Sequence, residues 1–369
     1  MRYQQVGLTA HDADRATPGF TLITRLRGHA AYLVDMAGEV VHEWHLPDQP
    51  GDLVYMLPGG RLLATAHVHD DSLFPGETHS RFEGGVGPVL RGGTGGAIRE
   101  YDWDGTLLHE YINREQHHDA RKLPNGNYLH IGWEIMPADA ARRVIGGREG
   151  TEHNGNIYGD YLNEVTPDGE VVWEWHFHQE EIEKYPLCPA CYRNEFAHAN
   201  ACFPMENGDV MLSFRRINAV AIVDRATSRF RWYHRDESWG HQHDCQMLDN
   251  GNILIFANGI HGGEMPASRV VEFSPETGET VWEYKGSPPY TFFSPHISGA
   301  QRLSSGNTLI CEGQWGRVFE VTPDGEVVWE YVSPFFDPLP GDAGETNMMF
   351  RSYRYAADSP EIGGRLGNP

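Results

Sequence analysis

The chain repeats itself, and the form of the repeat narrows the architecture more than any other feature. One unit runs turn, glycine, apolar–polar alternation and an aromatic pair. It reads VTPDGEVVWEW (165–175), FSPETGETVWEY (273–284) and VTPDGEVVWEY (321–331), more weakly VDMAGEVVHEW (34–44) and YDWDGTLLHEY (101–111), and in degenerate form VDRATSRFRWY (223–233). A second unit runs leucine or methionine, turn, glycine and a short apolar stretch: MLPGGRLLATA (56–66), KLPNGNYLHIG (122–132), PMENGDVMLSF (204–214), MLDNGNILIFA (247–257) and RLSSGNTLICE (302–312). Both read as antiparallel hairpins, with period-two patterning on either side of a turn that needs positive φ. The units alternate, so each pair supplies four strands. Four-stranded repeats of about 40–65 residues specify a β-propeller. A β-sandwich with accidental similarity is the competing architecture, and the in-register Gly and Trp-Glu-aromatic positions argue against it.

Strands a to d fall at 51–113, 116–178, 198–236, 241–287 and 294–333. The hairpin at 31–46 has no inner strand before it, and NMMFRSYRY (347–355) has nothing after it. Joined, they make a sixth blade and leave no open sheet edge. The expectation is an all-β, six-bladed propeller of four-stranded antiparallel blades, closed by pairing N- and C-terminal strands. It forms a single domain over 21–355, with loose tails at 1–20 and 356–369.

Lys and Arg number 29 against 52 Asp and Glu, a formal charge of −23. Such a balance excludes nucleic acid, which needs a basic face, and an anionic membrane surface. No run of about 18 apolar residues offers a bilayer-spanning helix. The stretch MRYQQVGLTAHDADRATPGF lacks the apolar core of a secretory signal, so cytoplasm is the expected location. Five cysteines, an odd and low number, suit a reducing compartment. Composition does not bear on oligomeric state.

Strands a and b run antiparallel, so the start of a, the end of b and the d-to-a and b-to-c connections share one rim. The long segments 69–94, 135–158 and 178–197 all fall there, as functional loops do. The hairpin glycine then serves as a ruler. Eight residues before it stand His118, Asn200, His243 and Ser298; ten before, Gln116, His198, His241 and His296; seven after, His67, Trp133, Arg215 and Asn258. Period two puts the first two sets on one side of the innermost strand. Polar groups from four blades therefore converge at one mouth of the central channel.

Two chemistries fit. Histidine acts as nucleophile or general base near neutral pH, with an adjacent Arg and amide donors stabilising a transferring anionic group. Alternatively His118, His198, His243 and His296 bind a divalent metal and leave a position open for a lyase or hydrolase reaction. A third reading is a non-catalytic propeller that binds a small ligand. Asp119 and Asp244 follow His118 and His243 directly and, by alternation, point away from them.

The segments HHDARKLPNGNYL, HANACFPMENGDVMLSFRRINAV, QHDCQMLDNGNILIFANG and SGAQRLSSGNTLICEGQWGRVFEVTPDGEVVWEY resemble the bacterial arylsulfotransferase family, over roughly 20–355. The resemblance implies a six-bladed propeller that passes a sulfuryl group from a phenol's sulfate ester to another phenol, without a nucleotide donor. A channel histidine is transiently sulfated and no cofactor is required. By motif that nucleophile falls on His243, the supporting histidines on His118 and His198, and the His-x-Asn pair on His198 and Asn200. The family's arginine falls on Arg215 or Arg216, and its threonine is matched by Ser298. Arg215 and Asn200 would hold the sulfuryl oxygens, with His241, Asn258 and His296 crowding the same mouth. Trp133, Trp239, Trp315, Tyr290 and Phe292 are candidates to stack on an aryl ring.

Cys188-Pro-Ala-Cys191 is a CxxC without a second CxxC; a structural Zn²⁺ there would need ligands from elsewhere. Its loop overhangs the mouth and would then be a metal-stapled lid. GGVGPVLRGGTGG (84–96) lacks a phosphate-binding spacing and reads as a flexible loop. Glu134, Glu312 and His261, just past the b strands, are further candidates for the site.

Overall fold

The computed structural model describes residues 5–68, 93, 95–261, 265–339 and 343–369. Apart from Gly93, Gly95 and Gly96, the long segment at 69–94 and the glycine-rich stretch lie outside the described residues. Six antiparallel sheets stand in a ring. Their innermost strands are Pro50–Leu57, Gln116–Lys122, Ala199–Pro204, His243–Met247, Gly299–Arg302 and Tyr353–Tyr355. Blades one to six are numbered in that order. Neighbouring inner strands touch around the axis. The second repeat unit supplies each a–b hairpin of blades one to five, the first unit each c–d hairpin. Gly126 and Gly251 sit at φ +89° and +83° in their turns, where a side chain would be strained. In the degenerate copy Ser228 takes that role at φ +50°.

Blade six closes the ring. Phe20, Thr21 and Leu22 pair with Tyr355, Arg354 and Tyr353, so the C-terminus gives the innermost strand and the N-terminus the other three. Both expected tails are partly structured. Gly7–His11 adds a fifth strand to blade five by pairing with Val327–Val332, and Thr9 Oγ1 donates to Glu330 Oε1 at 2.7 Å. An exposed sheet edge is thereby covered. Ile362 is fully buried among Trp44, Leu62 and Tyr101, which holds the C-terminal segment down.

The aromatic pair of the repeat has a mechanical job. In five blades a d-strand tryptophan donates its indole N–H to a carbonyl in the c–d turn of the next blade. Trp173 donates to Arg225, Trp232 to Pro275, Trp282 to Pro323, Trp329 to Met36 and Trp44 to Asp102, at 2.7–3.1 Å. The position of Trp173 is His42 in blade six, two residues before Trp44 and 2.9 Å from the Trp103 carbonyl, and His109 in blade one, which stacks on Tyr128 of blade two at 4.8 Å. At the buried Trp44 and Trp329 the bond also satisfies a donor that would otherwise be costly to bury. The conspicuous part of the sequence pattern is thus the clip between blades.

Candidate active site

The histidine-bearing starts of the inner strands lie on the rim that bears the d-to-a and b-to-c connections. Here the inner strands depart from regular β geometry. His118, His198, His241, Asp244, Ile297 and Ser298 all have positive φ, between +51° and +89°. Register shifts interrupt the a–b ladders at the same level in blades two, three and four. Non-glycine residues in this region cost about 1–3 kcal/mol each and cluster at functional sites. The distortion also overrides simple alternation: the residues that meet come from different rows of the glycine ruler.

His118 and His198 meet, their rings edge to face at 4.7 Å. His243 lies close enough for its charge to act on both, and Phe350 packs against His118 and His243. All three histidines are buried, and each has its pKa driven well below the ordinary value of 6.5. Desolvation is the main cause in each case. The second cause is the His198 charge for His118, Arg216 for His198, and Arg215 for His243. At neutral pH the cluster is therefore a set of uncharged imidazoles, the form that attacks electrophiles and accepts protons.

Each ring is oriented differently. His198 Nδ1 is 2.8 Å from Glu195 Oε2. The same carboxylate takes Arg216 at 3.1 Å, and its other oxygen accepts the Trp133 indole N–H at 2.8 Å. The carboxylate fixes the His198 tautomer with the proton on Nδ1 and the basic lone pair on Nε2. Asn258 donates to the carbonyls of Ser294 (2.8 Å) and Ile297 (3.0 Å), so its oxygen faces His243 Nδ1 at 2.8 Å. His243 thus carries its proton on Nδ1, and its Nε2 accepts the Ile297 N–H at 3.2 Å. His118 shares a 2.7 Å hydrogen bond with His117, which stacks on Trp133 at 4.2 Å. Burial pushes the His117 pKa down to about 4. Next to this group Asp160 accepts the Ala199 N–H, and burial together with the Glu195 charge pushes its pKa up.

An ion network lies against these histidines. Arg351 reaches Asp119 (2.9 Å), the Asn200 carbonyl (2.8 Å) and Asp244 (3.5 Å), with Arg121 on the far side of Asp119 at 2.8 Å. Asp119 and Asp244 serve Arg351 rather than the histidines preceding them. Sequence reasoning passed over Glu195, His117 and Arg351. Only Glu195 left a signal, an acid three residues before His198.

Several residues expected to touch substrate are instead occupied by the scaffold. Arg216 spends its guanidinium on Glu195, Asn194 and the carbonyls of Tyr192 and Glu195. Arg215 is the arginine whose charge acts on His198, His241 and His243 together. Ser298 Oγ donates to Ser294 Oγ at 2.9 Å and accepts the Gly313 N–H at 3.0 Å. Asn200 gives its amide to the Gln242 carbonyl at 2.9 Å; its Oδ1, without a partner among the described residues, presents an acceptor rather than a donor. Asn258 is held by His243 and two carbonyls, and Trp133 by Glu195 and His117. Phe292 and Trp239 are buried packing residues, Trp315 donates to the Phe293 carbonyl, and Tyr290 is exposed. His241 turns to Cys191, its Nε2 3.7 Å from the sulfur, and His261 Nδ1 lies 3.6 Å from Cys188. Glu312 binds Arg317 and the Phe293 N–H, while Glu134 accepts from His176 and His178.

The four histidines considered as a metal set do not bring their donor atoms within coordinating reach as a group. Among the described residues the clusters that do are Cys188, His241 and His261, and Glu134, His176 and His178. His296 sits near enough to His243 for its charge to be felt, but outside both clusters.

Residues 96–334 match the arylsulfotransferase (ASST) family. The chain belongs to that family. The matched span runs from the third strand of blade one to the end of blade five and contains all three channel histidines. No curated protein matches the arylsulfotransferase-family chain. Among solved structures it is similar to a protein of unknown function from Bacteroides caccae, at 14% identity and TM-score 0.57, covering 92% of this chain and 99% of that one. A virginiamycin B lyase from Staphylococcus aureus aligns at 10% identity and TM-score 0.47, covering 91% and 92%. At 14% identity the similarity to the Bacteroides caccae protein is one of fold.

Proposed function

We propose that this protein transfers a sulfuryl group between small phenolic compounds through a sulfated histidine at the channel mouth, with no cofactor. The observation that carries the reading is the cluster of three buried, neutral imidazoles from successive blades, one held by Glu195 and one by Asn258, with the Arg215 charge beside them. In a first half-reaction His243 Nε2 attacks the sulfur of an aryl sulfate; the N–S bond forms as the S–O(aryl) bond breaks, and the phenolate leaves. Arg215 balances the sulfuryl oxygens, on which charge accumulates. The Ile297 N–H, which occupies Nε2 in the resting site, shifts its donation to one of those oxygens once sulfur is bound. In the second half-reaction His198 Nε2 takes the acceptor's hydroxyl proton. Its oxygen then attacks sulfur, and the electron pair of the N–S bond returns to His243. His118, next to His198, shares the proton with it.

Neutral imidazoles favour donors whose phenolates leave unaided. The test is incubation with p-nitrophenyl sulfate and phenol, followed by intact-mass and peptide-mass measurement. A sulfated histidine peptide without acceptor, lost when phenol is added and absent in His243→Ala, is the expected result. Phenolate release with an intact His243 but no covalent adduct would remove the intermediate. Transfer with the adduct on His198 instead would reassign the nucleophile.

A further inference from the structure

We propose that Cys188, Cys191, His241 and His261 form a closed four-ligand zinc site that fastens the loop before blade three to blade four. The inference stands apart from sulfuryl transfer and goes beyond it.

The four residues come from three separate places. Cys188 and Cys191 lie on the strand Leu187–Tyr192, which belongs to no blade and pairs in parallel with Gly146–Arg148. His241 precedes the inner strand of blade four, and His261 follows its second strand. The two histidine segments are locked together by backbone contact. Gly259 N–H donates to the Trp239 carbonyl at 3.0 Å and Ile260 N–H to that of Gly240 at 3.1 Å. A Cβ on Gly240 would come within 2.7 Å of the Gly259 backbone. Glycine at 240 therefore lets the two segments close up and brings the imidazoles together, edge to face at 4.8 Å.

Two sulfur–nitrogen pairs have the spacing a tetrahedral ion requires, and Cys191 joins the other three donors through His241. With Zn–S near 2.3 Å and Zn–N near 2.05 Å, sulfur and nitrogen on two corners of a tetrahedron sit about 3.5 Å apart. Cys188 Sγ to His261 Nδ1 is 3.6 Å, and Cys191 Sγ to His241 Nε2 is 3.7 Å. The donors of Cys188, His241 and His261 all lie within 4.8 Å of one another. Both thiols are free and buried, while His261 is exposed and gives the ion a way in. Two sulfurs and two imidazoles are the donor set of structural zinc. Binding deprotonates both thiols and releases two protons; the pair of thiolates then balances the ion's charge, and nothing is oxidised or reduced.

The site has a consequence for the mouth. The segment after Cys191 carries the Tyr192 and Glu195 carbonyls and the Asn194 oxygen that hold Arg216, and it carries Glu195 itself, which orients His198. A metal at Cys188 and Cys191 anchors the near end of that segment.

The full-length chain, purified under reducing conditions and stripped with a chelator, is titrated with Co²⁺ and then Zn²⁺. The expected result is one equivalent of Co²⁺ with thiolate charge-transfer absorption and the intense visible bands of tetrahedral cobalt, displaced by Zn²⁺. Cys188→Ser and His261→Ala should each weaken Co²⁺ binding by at least about 100-fold, while His118→Gln retains one equivalent with an unchanged spectrum. Because His261 is exposed, its variant reports on the metal even where a cysteine variant fails to fold. Absence of stoichiometric cobalt, a wild-type cobalt spectrum in His261→Ala, loss of cobalt in His118→Gln, or a Cys188–Cys191 disulfide in freshly isolated protein would each overturn the assignment.

Discussion

His130 offers a direct measurement of how dry the propeller core is. It is fully buried on the second strand of blade two, its Nδ1 3.4 Å from the Ile131 carbonyl and its Nε2 without a partner among the described residues. Desolvation, aided slightly by the His117 charge, pushes its pKa from 6.5 down to about 4. The unfolded chain takes a proton there near pH 6.5, and the folded chain refuses it until about pH 4. Between those values the unfolded state binds more protons, so stability falls as pH falls. One pH unit is worth about 1.36 kcal/mol per proton, giving about 2 kcal/mol between pH 6.5 and 5, and about 3.4 kcal/mol by pH 4. Other groups add to or oppose this: His117 adds a similar share, whereas Asp160, its pKa raised by burial, works the other way. Comparing the wild type with His130→Gln cancels those contributions, since glutamine stays neutral throughout. Urea unfolding at 25 °C at half-unit steps from pH 7 to 5 should show the variant's stability falling less steeply, by about 2 kcal/mol over the interval. Parallel curves for the two proteins would refute the argument and show that water reaches His130.

Glu195→Gln keeps the shape but removes the charge that orients His198 and pairs with Arg216. Turnover of p-nitrophenyl sulfate should fall by about 10²–10³ and the fold by about 3 kcal/mol; an unchanged kcat would rule out the positioning role. With the His118 and His198 acid forms scarce at pH 7, p-nitrophenyl sulfate should exceed phenyl sulfate in kcat/KM by at least about tenfold, and equal values would mean that a proton reaches the leaving oxygen. Trp173→Phe keeps the ring but loses the bond to the Arg225 carbonyl, and urea unfolding should register a loss of about 1–2 kcal/mol; unaltered stability would leave the interblade clip without energetic weight.

The ring was legible because the repeat is in register: each hairpin copy names two strands, and the orphan hairpin at 31–46 and the strand at 347–355 are left to share a sixth blade, where Phe20–Thr24, outside both repeat units, joins them. Strand direction puts the inner-strand starts and the long connections on one rim, and there His118 and His198 meet. What sequence reading got less well was which side chains meet. A period-two ruler treats Gln116 and His118, or His198 and Asn200, as equivalent pairs. Left-handed residues at His118, His198 and His241 rotate the chain at that level, so His118 turns to His198 while His241 turns away to Cys191. Arg351 was invisible and Glu195 nearly so for another reason: both lie outside the repeat units, one at the C-terminal start of blade six and one on a connecting loop, where no copy exists to compare.

The indole clips sit at the c–d turns, on the rim opposite the imidazoles. One end of the barrel-shaped body is therefore a rigid chassis and the other a workbench. Connections around the workbench can lengthen, shorten or change sequence without loosening a single clip. New substrates should be reachable in this scaffold by exchanging those upper connections that bury no core residue, whereas the segments around Ile157, Tyr185 and Phe196 are part of the core and stay fixed.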